Sequence, residues 1–156
     1  MKSYNMSFHG EILERGFWIY VWGIKCNDQR YIYIGRTGDS SSPNAASPFN
    51  RIGQHLNFKE NAKGNSLAKR LKEVGVNPSI STFRMQAIGP LYPEQDSFEK
   101  HCQYRDRMAT IEFELAKYLL SKGLNVLGHH HKGSHVEETI LSEIKLNITK
   151  FIEKIS

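Results

Sequence analysis

Hydrophobic and polar positions alternate most clearly near the start of the chain. Phe17 to Ile24 (FWIYVWGI) is aromatic and β-branched and predicts a strand. Asn27-Asp28-Gln29 is turn chemistry, and Tyr31 to Arg36 (YIYIGR) predicts the returning strand of a hairpin. A period of two puts Trp18, Tyr20 and Trp22 on one face, with Phe17, Ile19 and Val21 on the other. In the second strand Tyr31, Tyr33 and Gly35 share a side, and Ile32 and Ile34 the opposite one. The hairpin therefore has an aliphatic face suited to a core and a face crowded with phenols and indoles.

Gly38 to Ser47 reads as a loop. Ser47 is a helix N-cap with Pro48 in the first turn, and the helix runs to about Phe58 with Ile52 and Leu56 on its apolar stripe. A second helix spans Ser66 to Val74, capped by Asn65 or Ser66 and stopped by Gly75. Ser79 to Ile88 alternates as a third strand that Gly89-Pro90 ends. A long helix covers about Glu94 to Lys122 and stops at Gly123. Leu124 to Leu127 is short and extended, and Gly128 to Ser134 reads as a polar linker. Val136 to Ile155 is a last amphipathic helix, with Ile140, Ile144, Ile148 and Ile152 at every fourth position. The expected fold is α+β: a small three-stranded antiparallel sheet flanked by helices, with an appended C-terminal helix. The expected organisation is an extension over residues 1–16, a domain over 17–127, and a His-rich linker and helix over 128–156.

Length and composition bound this picture. A chain of 156 residues suits one domain and buries about two thirds of its unfolded surface without disulfides or metal. No apolar run approaches the ~20 residues of a membrane helix. The first ten residues lack the apolar segment of a secretory signal. Cys26 and Cys102, far apart, fit a reducing cytoplasm better than a disulfide scaffold. The last thirty-one residues balance four lysines against four glutamates, so the net charge of +5 lies in the first 125. Between Lys59 and Lys72, Lys59, Lys63, Lys69, Arg70 and Lys72 face only Glu60. Such a patch is either a solvated helix face or a surface for a polyanion.

Candidate chemistry adds to this. Arg51 and His55 are spaced i, i+4 and share a helix side distinct from Ile52 and Leu56. A guanidinium beside an imidazole repels it unless an anion lies between them, and the guanidinium fork suits a phosphate. Glu112 sits among Met108, Leu115, Ala116 and Leu119, which sets a carboxylate on an apolar stripe. That costs several kcal/mol unless a cation or donors compensate it. An ion pair to Arg105 is one such compensation. Glu114, two residues on, is the other acidic candidate.

Trp18-Ile19-Tyr20, Tyr33-Ile34-Gly35, Arg51 with His55, Glu112, and then Asn125 together resemble the GIY-YIG nuclease superfamily. The resemblance spans about Phe17 to Leu127. It departs in Trp18, where the family has glycine, and in a longer loop before Arg51. The resemblance implies a DNA endonuclease that hydrolyses phosphodiesters with one Mg²⁺, for which Mn²⁺ substitutes. On this chain, Tyr20 or Tyr33 would act as general base and Arg51 would hold the scissile phosphate. His55 would aid proton transfer, and Glu112, or Glu114, would hold the metal. Arg36, Lys69, Arg70 and Asn125 would contact substrate. A phenolate base would need Arg51, Arg36 and the metal to bring a phenol down from its ordinary value of about 10. The expected protein is cytoplasmic, with DNA as partner and no membrane contact, and the isoleucine stripe is a candidate homodimer seam. The alternative is a non-catalytic nucleic-acid-binding domain of the same fold. The histidines at 129–131 and His135 offer ligands for Zn²⁺ or Ni²⁺, but no Cys or carboxylate spacing completes a closed site, and a flexible polar linker is the expected reading.

Overall fold

A computed structural model describes residues 1–39, 44–131, 133 and 137–155. The aromatic segment forms β1, Gly16–Cys26, which turns through Asn27 and Asp28 into β2, Gln29–Arg36. Asn27 takes a positive φ of 53° there, which asparagine tolerates better than most side chains. Ser47 caps α1, Pro48–His55, by accepting from the Asn50 amide. α2, Ser66–Glu73, ends at Gly75, whose φ of 70° suits only a residue without Cβ. β3, Ser81–Pro93, follows. Ser97 then caps α3, Phe98–Ser121, so that helix begins four residues later than the acidic run at Glu94 predicts. β4, Val126–Leu127, and α4, Glu138–Ile155, complete the chain.

The sheet is four-stranded and mixed, in the order β3-β1-β2-β4, rather than three-stranded and antiparallel. β4 is the addition. It pairs parallel to β2, with Ile32 opposite Val126 and Tyr33 opposite Leu127. Nor does Gly89-Pro90 end β3. The ladder jumps from Ile19–Ile88 to Phe17–Tyr92, so residues 89–91 bulge opposite Trp18. The bulge absorbs a proline that has no amide to donate. It also makes room for Trp18, whose ring lies 2.9 Å from where a Cβ on Gly89 would sit.

The two hairpin faces separate as alternation requires. Phe17, Ile19, Val21, Ile32 and Ile34 join Met108, Ile111, Leu115 and Leu119 of α3 in one core. Tyr20, Trp22 and Tyr33 pack against Leu67 and Leu71 of α2, with Ile52 and Leu56 alongside. The sheet is thus covered on both sides, by α3 and α4 on the aliphatic face and by α1 and α2 on the aromatic face.

α4 is not an appendage. Leu141, Ile144 and Ile148 are buried in the same core as β1 and α3, and Ile140 and Ile152 pack at its edge. The Tyr118 and Thr149 hydroxyls are 2.9 Å apart and join α3 to α4. The isoleucine stripe is therefore spent within the chain, which removes it as a dimer seam. The core also crosses the boundary expected at residue 127. Among the described residues no helix is long and apolar enough to cross a membrane.

Candidate active site

The register of the antiparallel hairpin sets the first pair of groups. Tyr20 lies opposite Gly35. A Cβ on Gly35 would sit 2.4 Å from Tyr20 Cε2, so the glycine is what lets the phenol lie across the strand. Tyr20 is 1% exposed. Its hydroxyl meets His55 Nε2 at 2.5 Å and the Arg36 carbonyl at 3.3 Å. His55, also 1% exposed, is set edge-on to both phenols, with ring centroids 5.5 Å from Tyr20 and 5.4 Å from Tyr33. One turn back along α1, Arg51 is mostly buried at 14% side-chain exposure. It donates to Asp39 at 2.8 Å and to Gln54 at 2.9 Å, and it interacts electrostatically with Tyr20, while its buried Nε makes no hydrogen bond among the described residues.

From the other side of the sheet edge, α3 contributes Glu112. Arg36, the residue after Gly35, donates its Nε to Glu112 Oε2 at 3.0 Å and Nη1 to the Arg105 carbonyl at 3.2 Å. The charge partner of Glu112 is thus Arg36, not Arg105. Arg36 is accordingly engaged in holding the acid rather than free at a solvated strand end. Glu114 makes no ion pair among the described residues. Contacts run without a break from Glu112 through Arg36 to Tyr20 and His55, and Arg51 and Glu112 act electrostatically on Tyr33.

Burial decides the protonation states. Desolvation raises Tyr20 well above the ordinary tyrosine value, and the opposing pull of Arg51 does not cancel it. Desolvation, with Glu112 adding to it, pushes Tyr33 up to about 12. Burial thus opposes the lowering toward neutrality that a phenolate base requires. The cost of a charged ring in a closed pocket exceeds what the nearby guanidinium returns. His55 moves the other way: desolvation and then Arg51 lower it to about 3. At neutral pH the pocket holds two phenols and a neutral imidazole.

This has a stability consequence. Folded His55 resists protonation while the unfolded residue takes a proton near pH 6.5. Stability is then full above 6.5 and is lost as the pH falls toward 3, at about 1.4 kcal/mol per unit. In urea titrations, lowering the pH from 7.5 to 5 is expected to cost wild type about 2 kcal/mol more than it costs His55→Gln. Parallel acid slopes in the two proteins would remove the buried neutral imidazole.

Lys69 and Arg70 lie on α2, and Asn125 lies beside β2. Lys69 is exposed on the outer face of α2 without an ion pair among the described residues, while Arg70 pairs with Glu73 at 2.9 Å. Asn125 does not join the cluster. Its amide donates to the Arg30 carbonyl at 3.1 Å, and it lines a cavity of about 390 Å³ with Lys25, Arg30, Arg84 and Lys154, toward the hairpin turn. The parallel pairing is the reason: Asn125 precedes the residue opposite Ile32 and so lies level with Tyr31, far from Gly35.

Two residues enter the site that the motif pattern did not mark. Asp39 holds Arg51 from the loop after β2. His130 places Nδ1 3.7 Å from Glu112 Oε1, with its side chain 9% exposed. The stretch read as a flexible linker thus puts one histidine against the acid; His135 lies outside the described residues. Direction alone explains it. The chain leaves Leu127 level with Tyr33 and travels parallel to β2, so three residues later it reaches the level of Arg36.

The donor set fits one divalent ion that keeps most of its waters. Glu112 is a single carboxylate, 18% exposed, whose Oε2 is held by Arg36 and whose Oε1 faces His130. Among the described residues no group of three His, Cys, Asp or Glu side chains gathers into a protein cage. No family model matches the chain, nor does any curated protein or solved structure.

Proposed function

We propose that the protein is a metal-dependent endonuclease that hydrolyses DNA phosphodiester bonds, related to the GIY-YIG nucleases. One observation carries the reading: hydrogen bonds join Glu112, Arg36, Tyr20 and His55 across the hairpin, α1 and α3, with Tyr33 edge-on to His55 and Arg51 one turn back on α1. Polar groups so costly to bury are retained where they act on a ligand. The buried, unpartnered Arg51 Nε adds a donor in search of an acceptor, and a phosphate oxygen in place of Asp39 supplies one.

The protonation states dictate a relay rather than a free phenolate. Neutral His55 accepts the Tyr20 proton at Nε2 as the Tyr20 oxygen takes a proton from the attacking water. The imidazolium so formed would be disfavoured beside Arg51, and a phosphate bound to Arg51 offsets that charge. Arg51 orients the phosphate and stabilises the charge growing on its oxygens. Tyr33 holds the His55 ring in place from its second edge. Arg36 fixes the Glu112 carboxylate. Glu112 would hold Mg²⁺, or Mn²⁺ in its place, which supplies Lewis-acid stabilisation of the leaving oxygen when bound. Lys59, Lys63, Lys69 and Lys72, all exposed near α2, supply a surface for the DNA backbone. The free cysteines Cys26 and Cys102 fit a cytoplasmic protein.

Supercoiled plasmid tests the proposal. Wild type is expected to nick it with Mg²⁺ or Mn²⁺ and to stop with chelator, while Arg51→Ala loses on the order of 10²-fold in rate. With chemistry limiting, the rate between pH 7 and 9 should stay nearly level, because His55 and both phenols keep their protonation states there. A tenfold rise per pH unit would restore the phenolate base. DNA binding without cutting in wild type would leave the non-catalytic binding domain as the function.

A further inference from the structure

We propose that His130 and Glu112 form an N,O donor pair that binds a first-row transition divalent cation, from Mn²⁺ to Zn²⁺, in preference to Mg²⁺. The proposal rests on the reading of Glu112 as the metal-holding carboxylate, and it adds a ligand from outside the GIY-YIG-like segment.

His130 is buried without a structural reason. Among the described residues its Nε2 is sealed from solvent with no hydrogen-bond partner, and Nδ1 faces Glu112 Oε1. Burying an imidazole whose two nitrogens serve no hydrogen bond costs free energy that packing alone does not return. The separation of 3.7 Å is too long for a hydrogen bond. It is close to the spacing of two donors on one ion. Ligands each ~2.1 Å from a metal stand ~3.0 Å apart at a right angle and ~3.6 Å apart at 120°. The carboxylate's other oxygen is already held by Arg36 at 3.0 Å.

That guanidinium also sets the preference. Arg36 offsets the charge of Glu112, and Arg70 lies nearby, its Nε 3.9 Å from the point where a Gly128 Cβ would sit, beside His130 Nε2 at 3.8 Å. A hard ion held mainly by net negative charge loses most from these cations. A neutral imidazole nitrogen adds a coordinate bond that Mg²⁺ uses poorly and transition ions use well, increasingly along the Irving–Williams order. With only two protein donors, the remaining positions stay open to water and to phosphate oxygens.

Isothermal titration of the full chain at pH 8, without DNA, with CoCl2, MnCl2 and MgCl2 tests the pair. Wild type should bind Co²⁺ at least tenfold tighter than Mg²⁺. His130→Ala and Glu112→Gln should each weaken Co²⁺ at least tenfold, whereas His129→Ala/His131→Ala should leave it unchanged. Equal Co²⁺ affinity in His130→Ala, or a loss confined to the His129/His131 variant, overturns the pair. Should His130→Ala fold poorly, wild type still answers: substoichiometric Mn²⁺ should broaden the His130 imidazole signals first, and broadening elsewhere with those signals sharp overturns it. Plasmid nicking run in parallel separates the two readings. Co²⁺ binding through His130 with no cutting under any ion sinks the nuclease and keeps the pair. Mg²⁺-dependent cutting with no Co²⁺ preference keeps the nuclease and sinks the pair.

Discussion

Glu112→Gln is expected to lower the plasmid nicking rate by on the order of 10²–10³-fold, while DNA affinity in chelator stays within about threefold of wild type. Glutamine keeps the size of the side chain and leaves an oxygen to accept from Arg36 Nε, so the 3.0 Å contact between β2 and α3 survives in neutral form. What it removes is the anionic oxygen that faces His130. The side chain lies on α3, while the exposed lysines that supply the backbone-binding surface lie in and around α2, so binding and cutting separate. The measurements are initial nicking rates at saturating Mn²⁺ and fluorescence anisotropy of a labelled duplex. A variant that cuts within threefold of wild type would move the metal-holding role off Glu112, with Glu114 next in line. A variant that loses binding and cutting together would instead mean that the acid supports the DNA surface.

Deleting α4 by ending the chain at Leu127 is expected to abolish the native fold. Leu141, Ile144 and Ile148 are each at most 3% exposed and share a core with β1, β2 and α3. Burying a large aliphatic side chain contributes about 1.5–3 kcal/mol, so these three alone contribute on the order of 5–9 kcal/mol. The whole stability of a domain is about 5–15 kcal/mol. The truncated chain would also expose the aliphatic face of β1, where Gly23 lies so close to Ile155 that a Cβ would clash with it. The checks are near-UV circular dichroism and dye binding to exposed apolar surface. Lost tertiary signal with strong dye binding is the expected pair. A cooperative unfolding transition in the truncated chain would make α4 an appendage after all.

Much of this was legible along the chain because it is local. Period-two alternation in residues 17–24 and 31–36 separated the two sheet faces correctly, since successive side chains on a strand must point oppositely. Ser47 with Pro48, and Gly75 and Gly123, marked helix ends, because caps act within one turn, whereas Asn65 stands at the N-cap position of α2 without a side-chain cap hydrogen bond. The i, i+4 spacing put Arg51 and His55 on one side of α1, and the same periodicity picked out Glu112 on α3.

What the chain order could not determine is non-local. A two-residue strand has no period, so β4 appears only through its pairing with β2, and with it the course that carries His130 to Glu112 and Asn125 away from the site. Gly89-Pro90 looks like a terminator until a bulge opposite Trp18 accommodates it. The isoleucines of α4 read equally as an intermolecular seam or a core, and packing against α3 and β1 decided for the core. The Arg36–Glu112 pair joins residues from two elements with no spacing rule between them. Charged neighbours are visible in a sequence, but the desolvation that keeps Tyr20 and Tyr33 neutral exists only once the sheet, α1 and α2 close around them.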